Sequence, residues 1–305
     1  MQEPWLSYPW CIESSLVTVV KEPVGQELAL VEYFATHYSA LLVWDSVCST
    51  DEQKILFCQR IQKIERYVHP HIVQFIGVVI DTQTNRPKWL LYERLSCSLL
   101  STLDASADKR SFMDILDISK QISEGILYLH SQNCYYGNLK PANILVGRGG
   151  VVKLFSVGID QNGKRLPNNA PDRMHTDIFH FGVLLVNLIL HSFMDSVLPS
   201  HVKTAISKYP CFAHILSNTL KEEANEYNIN ALVDDIKELQ VLTTKSCNDS
   251  DIEEYFASLE QAKLKQMDVA GSPTISTVAV TSPDIIAATS PAPRSPPVVS
   301  PPSVV

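Results

Sequence analysis

Apolar residues fall in short, closely spaced runs over the first 94 residues. Runs rich in β-branched and aromatic residues predict β-strands at 16–20, 38–44 and 89–93, and a linker that runs into a strand over 69–79. Between them, residues 53–67 place Ile55, Cys58, Ile61 and Ile64 at helical spacing, which predicts a helix. Strands around one helix predict a small α+β unit over residues 14–94, after an N-terminal extension of residues 1–13.

A helical period replaces the strand pattern after residue 94. Residues 112–130 repeat isoleucine and leucine on one face, at Ile115, Ile118, Ile122, Ile126 and Leu129. Residues 176–190 are almost wholly apolar, which predicts a helix buried in a core. A short strand at 151–154 and weaker helical patterns at 201–206, 213–223 and 231–239 complete a larger helical unit over residues 95–266.

The composition changes again over residues 267–305. Eight of the 18 prolines lie in this segment, and charged residues almost vanish. A Ser/Pro/Ala/Val segment buries too little apolar surface to offset the entropy lost on ordering, so we predict a disordered tail.

Charge and cysteine content exclude several classes of protein. The formal net charge of −8 argues against nucleic acid as a partner, because phosphate binding needs a basic face. No apolar run reaches the ~18 residues of a membrane span. The seven cysteines are scattered, odd in number and never in a C-x-x-C pair, which is typical of reduced thiols. We therefore expect a cytoplasmic location.

The segment between the first C-terminal helix and the strand at 151–154 carries the most informative motif. Residues 138–145 read NLKPANIL. This run resembles the catalytic loop of protein kinases, which reads His-Arg-Asp-Leu-Lys-Pro-x-Asn followed by apolar residues. Tyr136, Gly137 and Asn138 stand at the His, Arg and Asp positions. The frame of the loop is present, and its catalytic base is replaced.

Four further motifs resemble the same family, in family order and spacing. HPHIV at 69–73 is similar to the entry of the fourth strand, and YERL at 92–95 to the hinge between lobes. APD at 170–172 and DIFHFG at 177–182 are similar to Ala-Pro-Glu and Asp-x-Trp-Ser-Phe-Gly. The resemblance implies a two-lobed protein kinase-like α+β fold, with a β-rich N-lobe and a helical C-lobe. It leaves open a tyrosine-kinase-like or a Ser/Thr type.

The N-terminal lobe lacks the groups that position ATP phosphates in this family. A G-x-G-x-x-G loop is absent, because Gly25 is the only glycine in the first 76 residues. No Lys or Arg lies between Lys21 and Lys54, so the third strand supplies no lysine. The partner Glu of that lysine is matched by Arg60, nine residues before His69.

The C-terminal lobe loses its base and its metal ligand. Asn138 is a neutral amide without useful basicity near pH 7, and Ser156 offers a hydroxyl where divalent metals prefer a carboxylate. Lys140 and Asn143 are retained, and Asp177 matches the carboxylate that holds the loop backbone in a structural role. The family's apolar column between lobes corresponds to aromatic or apolar residues here, at Ile64, Phe75, Tyr136 and Val157.

These losses predict a pseudokinase that acts as a scaffold or allosteric protein-binding module in signalling, with no ATP, Mg²⁺ or other metal cofactor. The alternative is an atypical active kinase with relocated groups, such as Lys21 for the phosphates or Asp160 for a metal. A third interpretation keeps a vestigial nucleotide site. It would combine Lys140 and Asn143 with a hinge and pocket formed by Tyr92, Glu93, Leu95 and Leu145, with Tyr92 narrowing the back.

The tail offers candidate contacts for protein partners. Five Ser-Pro dipeptides are candidate phosphorylation sites, at Ser272, Ser282, Ser290, Ser295 and Ser300. Such dipeptides are also common in any segment of this composition. The terminal Ser303, Val304 and Val305 resemble a PDZ-domain ligand, and the prolines suit proline-binding modules. The resemblance adds an active kinase as a further candidate partner, and we predict neither nucleic acid nor a membrane span.

Overall fold

A computed structural model describes residues 3–21, 28–43, 48–94, 97–105, 110–137, 139–155, 170–194, 196–221 and 227–245. The predicted disordered tail, its five Ser-Pro dipeptides and the terminal Ser303, Val304 and Val305 lie outside these residues. Lys21 ends the second strand, whereas Gly25 and Asp160 are outside the described part. The fold is the expected two-lobed α+β arrangement, in which a twisted sheet with one helix precedes a mainly helical lobe.

The N-terminal lobe is a six-stranded sheet with helix α1 (Asp51–Ile64) packed on one face. In order across the sheet the strands are β1, β5, β6, β4, β3 and β2. Their bounds are β1 Cys11–Glu13, β2 Val17–Lys21, β3 Ala29–Tyr33, β4 Thr36–Leu42, β5 Phe75–Ile80 and β6 Pro87–Tyr92. The predicted strands therefore form within a few residues of their expected positions.

Strand β1 was not predicted, because it lies in the segment assigned to an N-terminal extension. Its three residues pair in parallel with β5, Cys11 opposite Val78 and Glu13 opposite Ile80. A strand this short leaves no periodicity to detect, and its partner lies far along the chain. The first residues of the protein thus extend the sheet beyond β5.

Helix α1 begins at Asp51, and its start is fixed by a capping box. Thr50 accepts a hydrogen bond from the Gln53 amide, and the Gln53 side chain accepts one from the Thr50 amide. The buried face comprises Phe57, Cys58, Ile61 and Ile64. Ile55, which we assigned to this face, is 54% exposed, because Phe57 lies on the sheet side of that turn instead.

The C-terminal lobe is built around two long helices, α3 (Phe112–Ser131) and α4 (Ala170–Leu190). Both are lined with fully buried aliphatic residues and pack against each other in one core. Helix α4 begins six residues before the predicted start at 176. The remaining elements are α2 Leu99–Ala105, α5 Pro199–Lys208, α6 Ala213–Thr219, α7 Ile229–Lys245, β7 Cys97–Ser98, β8 Ile144–Val146 and β9 Val152–Leu154.

Helix α3 starts with a capping box whose strength depends on pH. Asp114 accepts hydrogen bonds from the Ser111 hydroxyl at 2.8 Å and the Ser111 amide at 2.9 Å. The Ser111 oxygen in turn accepts from the Asp114 amide at 3.2 Å. These contacts, the Ser111 hydroxyl first, lower the pKa of Asp114. The helix entry is thus stabilised while this carboxylate is ionised.

We expect Ser111→Ala to lower the free energy of unfolding by about 1 kcal/mol at pH 7, through loss of the cap. The folded pKa of Asp114 lies below its unfolded value of about 3.9, so its contribution is present above that pH and is lost as pH falls further. The difference between wild type and variant in urea unfolding should therefore shrink below about pH 4. An equal difference at pH 7 and pH 3 would contradict this account.

Candidate functional site

The loop between α3 and β8 is held in place by hydrogen bonds to its backbone. A short 3-10 turn at Pro141–Asn143 ends the loop, and Pro141 occupies its first position. The Tyr136 hydroxyl donates to the carbonyls of Asn143, at 3.0 Å, and Phe155, at 2.6 Å. The Phe155 amide donates to the Asn143 carbonyl at 2.9 Å. The described part of this run, from Leu139 onward, therefore follows a hydrogen-bonded bend beside strand β9.

Asp177, from helix α4, supports the first half of this loop. Its fully buried carboxylate accepts backbone N–H bonds from Tyr136 and Gly137, both at 2.7 Å, and contacts His130 Nε2 at 2.9 Å. Gly137 has a φ of 71°, a left-handed conformation that glycine adopts without strain. These contacts have the geometry expected of the structural role assigned to Asp177. His130, near the end of α3, was not predicted.

Aromatic side chains meet at the back of the cleft between the lobes. Tyr92, at the end of β6, packs edge-on against Phe75 with ring centroids 5.7 Å apart, and against Phe155 at 5.2 Å. Leu145 belongs to the same buried cluster, which therefore joins residues of both lobes. Tyr92 is 2% exposed, and this burial raises the pKa of its hydroxyl. Phe155, directly before Ser156, adds to the narrowing predicted from Tyr92 alone.

Strand β4 corresponds to the third strand of the kinase family, and it carries no lysine on the N-terminal side of the cleft. On this strand Ser39 lies opposite Tyr92, and Leu41 lies opposite Leu90. Leu41 packs against the same cluster as Tyr92 and helix α1. Neither Lys nor Arg occurs in β4, all of which is described. Arg60 lies on α1 and is half-buried, so a cation occupies the helix position where the family has a carboxylate.

A salt bridge that was not predicted connects the hinge to strand β9. Lys153 Nζ lies 2.6 Å and 2.8 Å from the two carboxylate oxygens of Glu93. Glu93 also accepts the backbone N–H of Gln74 at 2.7 Å. Both carboxylate oxygens are therefore engaged, and the pair ties the linker before β5 and the hinge to the C-terminal lobe.

Only part of the predicted site can be placed. Lys140 is partly buried, and Asn143 is buried with 6% exposure in the bend described above. Asn138, Ser156, Leu95 and Val157 lie outside the described residues. Of the apolar column, Ile64 and Phe75 share one cluster, and Tyr136 is buried in the C-terminal core.

The described residues include no group of three or more His, Cys, Asp or Glu side chains that could hold a metal ion. Among the same residues, no helix combines the length and the apolar character that crossing a membrane requires.

Comparison with known proteins gives matches to protein kinases. The family model for protein tyrosine and serine/threonine kinases matches residues 46–173. Human tyrosine-protein kinase Fer is 29% identical over 154 residues, covering 44% of this chain and 18% of Fer. A probable serine/threonine-protein kinase, mkcD of Dictyostelium discoideum, is 27% identical over 223 residues, covering 64% of this chain and 34% of the relative. Sheep cyclin-dependent kinase 4 is 30% identical over 102 residues, with 32% and 34% covered.

The matched segments thus span between 18% and 34% of the length of these relatives. The residues matched by the family model include helix α1, the hinge, the loop between α3 and β8, and the start of α4. The same elements form the two-lobed fold and its cleft. These matches and the two-lobed fold support membership of the protein kinase superfamily.

Proposed function

We propose that the chain is a catalytically inactive protein kinase-like domain that acts as a scaffold or allosteric protein-binding module in signalling. The observation that carries this proposal is the composition of the cleft. Its β4 wall presents Ser39 and Leu41, α1 carries Arg60 at the position of the family's carboxylate, and Phe155 packs against Tyr92 at the back. A phosphotransferase needs charged groups here that bind phosphates and a metal ion. This cleft has mainly side chains that pack against one another.

The chemistry of phosphoryl transfer explains why these replacements matter. The reaction requires positioned phosphates, a bound divalent cation and an acceptor for the proton of the attacking hydroxyl. Removal of one electrostatic contact of this kind typically costs about 3 kcal/mol of transition-state stabilisation. With Arg60, Asn138 and Ser156 replacing the family residues, several contacts are lost together. Their effects are not additive, but the residual rate would be very low.

The contacts that hold the fold together, and that take no part in phosphoryl transfer, support a binding role. Asp177 holds the loop backbone, and the Tyr136 hydroxyl ties the loop to Phe155. The aromatic cluster and the Lys153–Glu93 pair join the two lobes. A rigid two-lobed body suits the presentation of a fixed surface to another protein.

Two measurements on the full chain test the loss of catalysis. We expect no ³²P transfer from ATP to the chain or to generic protein substrates with Mg²⁺ or Mn²⁺, and no shift in Tm on adding ATP with or without metal. Transfer that Lys140→Ala abolishes would overturn the proposal, since Lys140 is a retained residue of the catalytic loop. The matched control is Lys120→Ala, in helix α3 and outside the loop, which should not change any transfer.

The alternative function is an atypical active kinase, and the Lys153–Glu93 pair is the observation that favours it. A basic and an acidic side chain converge there between hinge and β9. We favour a structural tie, because Glu93 already accepts from Lys153 and from the Gln74 amide. Lys153→Met separates the two cases. It should lower Tm without affecting transfer if the pair is structural, whereas it should abolish transfer if the pair is catalytic.

The partners in this proposal are proteins, bound through the lobes or through the tail, and the setting is the cytoplasm. The tail would present its prolines and its terminal Ser303, Val304 and Val305 to proline-binding or PDZ modules. A binding assay against isolated PDZ and SH3 domains, with and without the last three residues, tests the two modes separately. Equal binding by both chains would remove the PDZ mode.

A further inference from the structure

The first residues of the protein lie in a groove between helix α1 and strand β5. Residues 3–13, the N-terminal strap, form a 3-10 turn at Pro4–Ser7 and then strand β1. The Val78 amide of β5 donates to the Trp10 carbonyl at 2.8 Å. A Cβ atom at Gly77 would lie only 2.6 Å from that carbonyl oxygen and 2.8 Å from Ile12 Cδ1. Glycine at position 77 therefore lets the strap approach β5 this closely.

Two tryptophans anchor the strap in this groove. Trp5 is fully buried, its ring meets Phe57 of α1 edge-on at 6.3 Å, and its indole N–H donates to the Asn85 carbonyl at 3.0 Å. Trp10 is 4% exposed and belongs to the cluster that includes the buried face of α1. Large aromatic anchors seated in pockets are the usual centre of a peptide-binding interface.

An ion pair fixes the strap to the first turn of α1. Lys54 Nζ lies 2.9 Å from Glu3 Oε1 and 5.8 Å from the centre of the Trp5 ring. A single lysine thus contacts both the acidic start of the strap and its first anchor. The contact pattern combines strand addition, aromatic anchors and one charge, as in the binding of extended peptides to a sheet edge.

Two polar atoms of the strap are buried without a partner in the described part of the chain. Glu3 Oε2 and Trp10 Nε1 have no hydrogen-bond partner among these residues. Buried polar groups are nearly always paired, and both atoms would regain hydrogen bonds to water if the strap left the groove. The free energy gained from the contacts of the strap is therefore partly offset by the cost of burying these two unpaired polar atoms.

We infer that the groove between α1 and β5 is a peptide-binding site, which the strap occupies in cis. Its ligand in trans is an extended segment of another protein with two tryptophans five residues apart and an acidic residue before the first. Release of the strap would expose β5 as an edge strand, which is a template for such pairing. The inference concerns the face of the N-terminal lobe and holds whether or not the cleft is catalytic.

Binding of a synthetic peptide to the full chain tests the inference. The probe is a fluorescent peptide of residues 3–13, followed by anisotropy, with the same peptide carrying alanine for both tryptophans as control. In the wild-type chain the strap competes at high effective concentration, so we expect weak binding. In Trp5→Ala the groove is vacated, and we expect at least tenfold tighter binding. No binding of the probe to a folded Trp5→Ala chain would overturn the inference.

If Trp5→Ala does not fold, native-state hydrogen exchange on the wild-type chain tests the inference instead. The reporter is the amide of Val78 in β5, which donates to the Trp10 carbonyl of the strap. We expect it to exchange through an opening at least tenfold more frequent than the opening that exposes the amides of β6. Equal protection of Val78 and of the β6 amides would show that the strap is an inseparable part of the core, and the inference would then be wrong.

Discussion

Gly182→Ala is expected to lower the free energy of unfolding by about 3 kcal/mol, because helix α4 meets α6 without room for a side chain. A Cβ atom at this position would clash with Thr219 Oγ1 and would lie 2.9 Å from both Thr219 Cβ and Leu220 Cδ2. Thr219 is fully buried, and its hydroxyl donates to the Ile215 carbonyl at 2.8 Å. The contact is thus too short to relieve without moving a helix or breaking that hydrogen bond. Urea unfolding at 25 °C measures the loss.

Gly147→Ala is the matched control for this prediction. A Cβ atom at Gly147 would meet its nearest neighbour, the Val151 carbonyl oxygen, at an ordinary 3.5 Å, and its φ of −90° suits any residue. We expect a change within about 0.5 kcal/mol. The double variant Gly182→Ala/Thr219→Gly should be destabilised by less than the sum of its single variants, since the clash with the Thr219 side chain is removed and only the contact with Leu220 remains. A loss below 1 kcal/mol in Gly182→Ala would contradict the packing argument.

The elements with a strong repeating pattern were predictable from sequence. Helix α3 was expected over 112–130 and is found at Phe112–Ser131, because its apolar face repeats over five turns and Ser111 caps its start. Strand β1 and helix α2 were missed. They are three and seven residues long, and their stability comes from neighbours distant in sequence, such as β5 for β1. The local sequence pattern does not identify partners that are distant in the chain.

Site residues within a recognisable motif were identified from the sequence, and site residues outside the motifs were missed. Tyr92 was expected to narrow the cleft, and Asp177 was assigned to the loop, because each occupies a position within a recognisable motif. Phe155 and Lys153 stand just outside those motifs, and their contacts with Tyr92 and Glu93 join different lobes. A bulky residue directly before Ser156 was the available signal for the contact of Phe155 with Tyr92.

Asp177→Asn is expected to lower the free energy of unfolding by about 4 kcal/mol, the cost of breaking a buried charged network. The carboxylate has no exposure and accepts two backbone N–H groups as well as contacting His130. An asparagine retains one acceptor oxygen and turns an NH₂ group toward the other donors. One of the loop amides, at Tyr136 or Gly137, would then be buried without a partner.

The change should act on the loop first, and its location can be measured separately from global stability. We expect the amides of Tyr136 and Gly137 to lose hydrogen-exchange protection more than those in the middle of α3, because Asp177 is their acceptor. Asp234→Asn is the matched control, since that carboxylate is 78% exposed on α7 and should change stability by less than about 0.5 kcal/mol. If Asp177→Asn were as mild as this control, the loop would be held by the Tyr136 hydroxyl contacts with Asn143 and Phe155 instead, and the structural role assigned to Asp177 would be wrong.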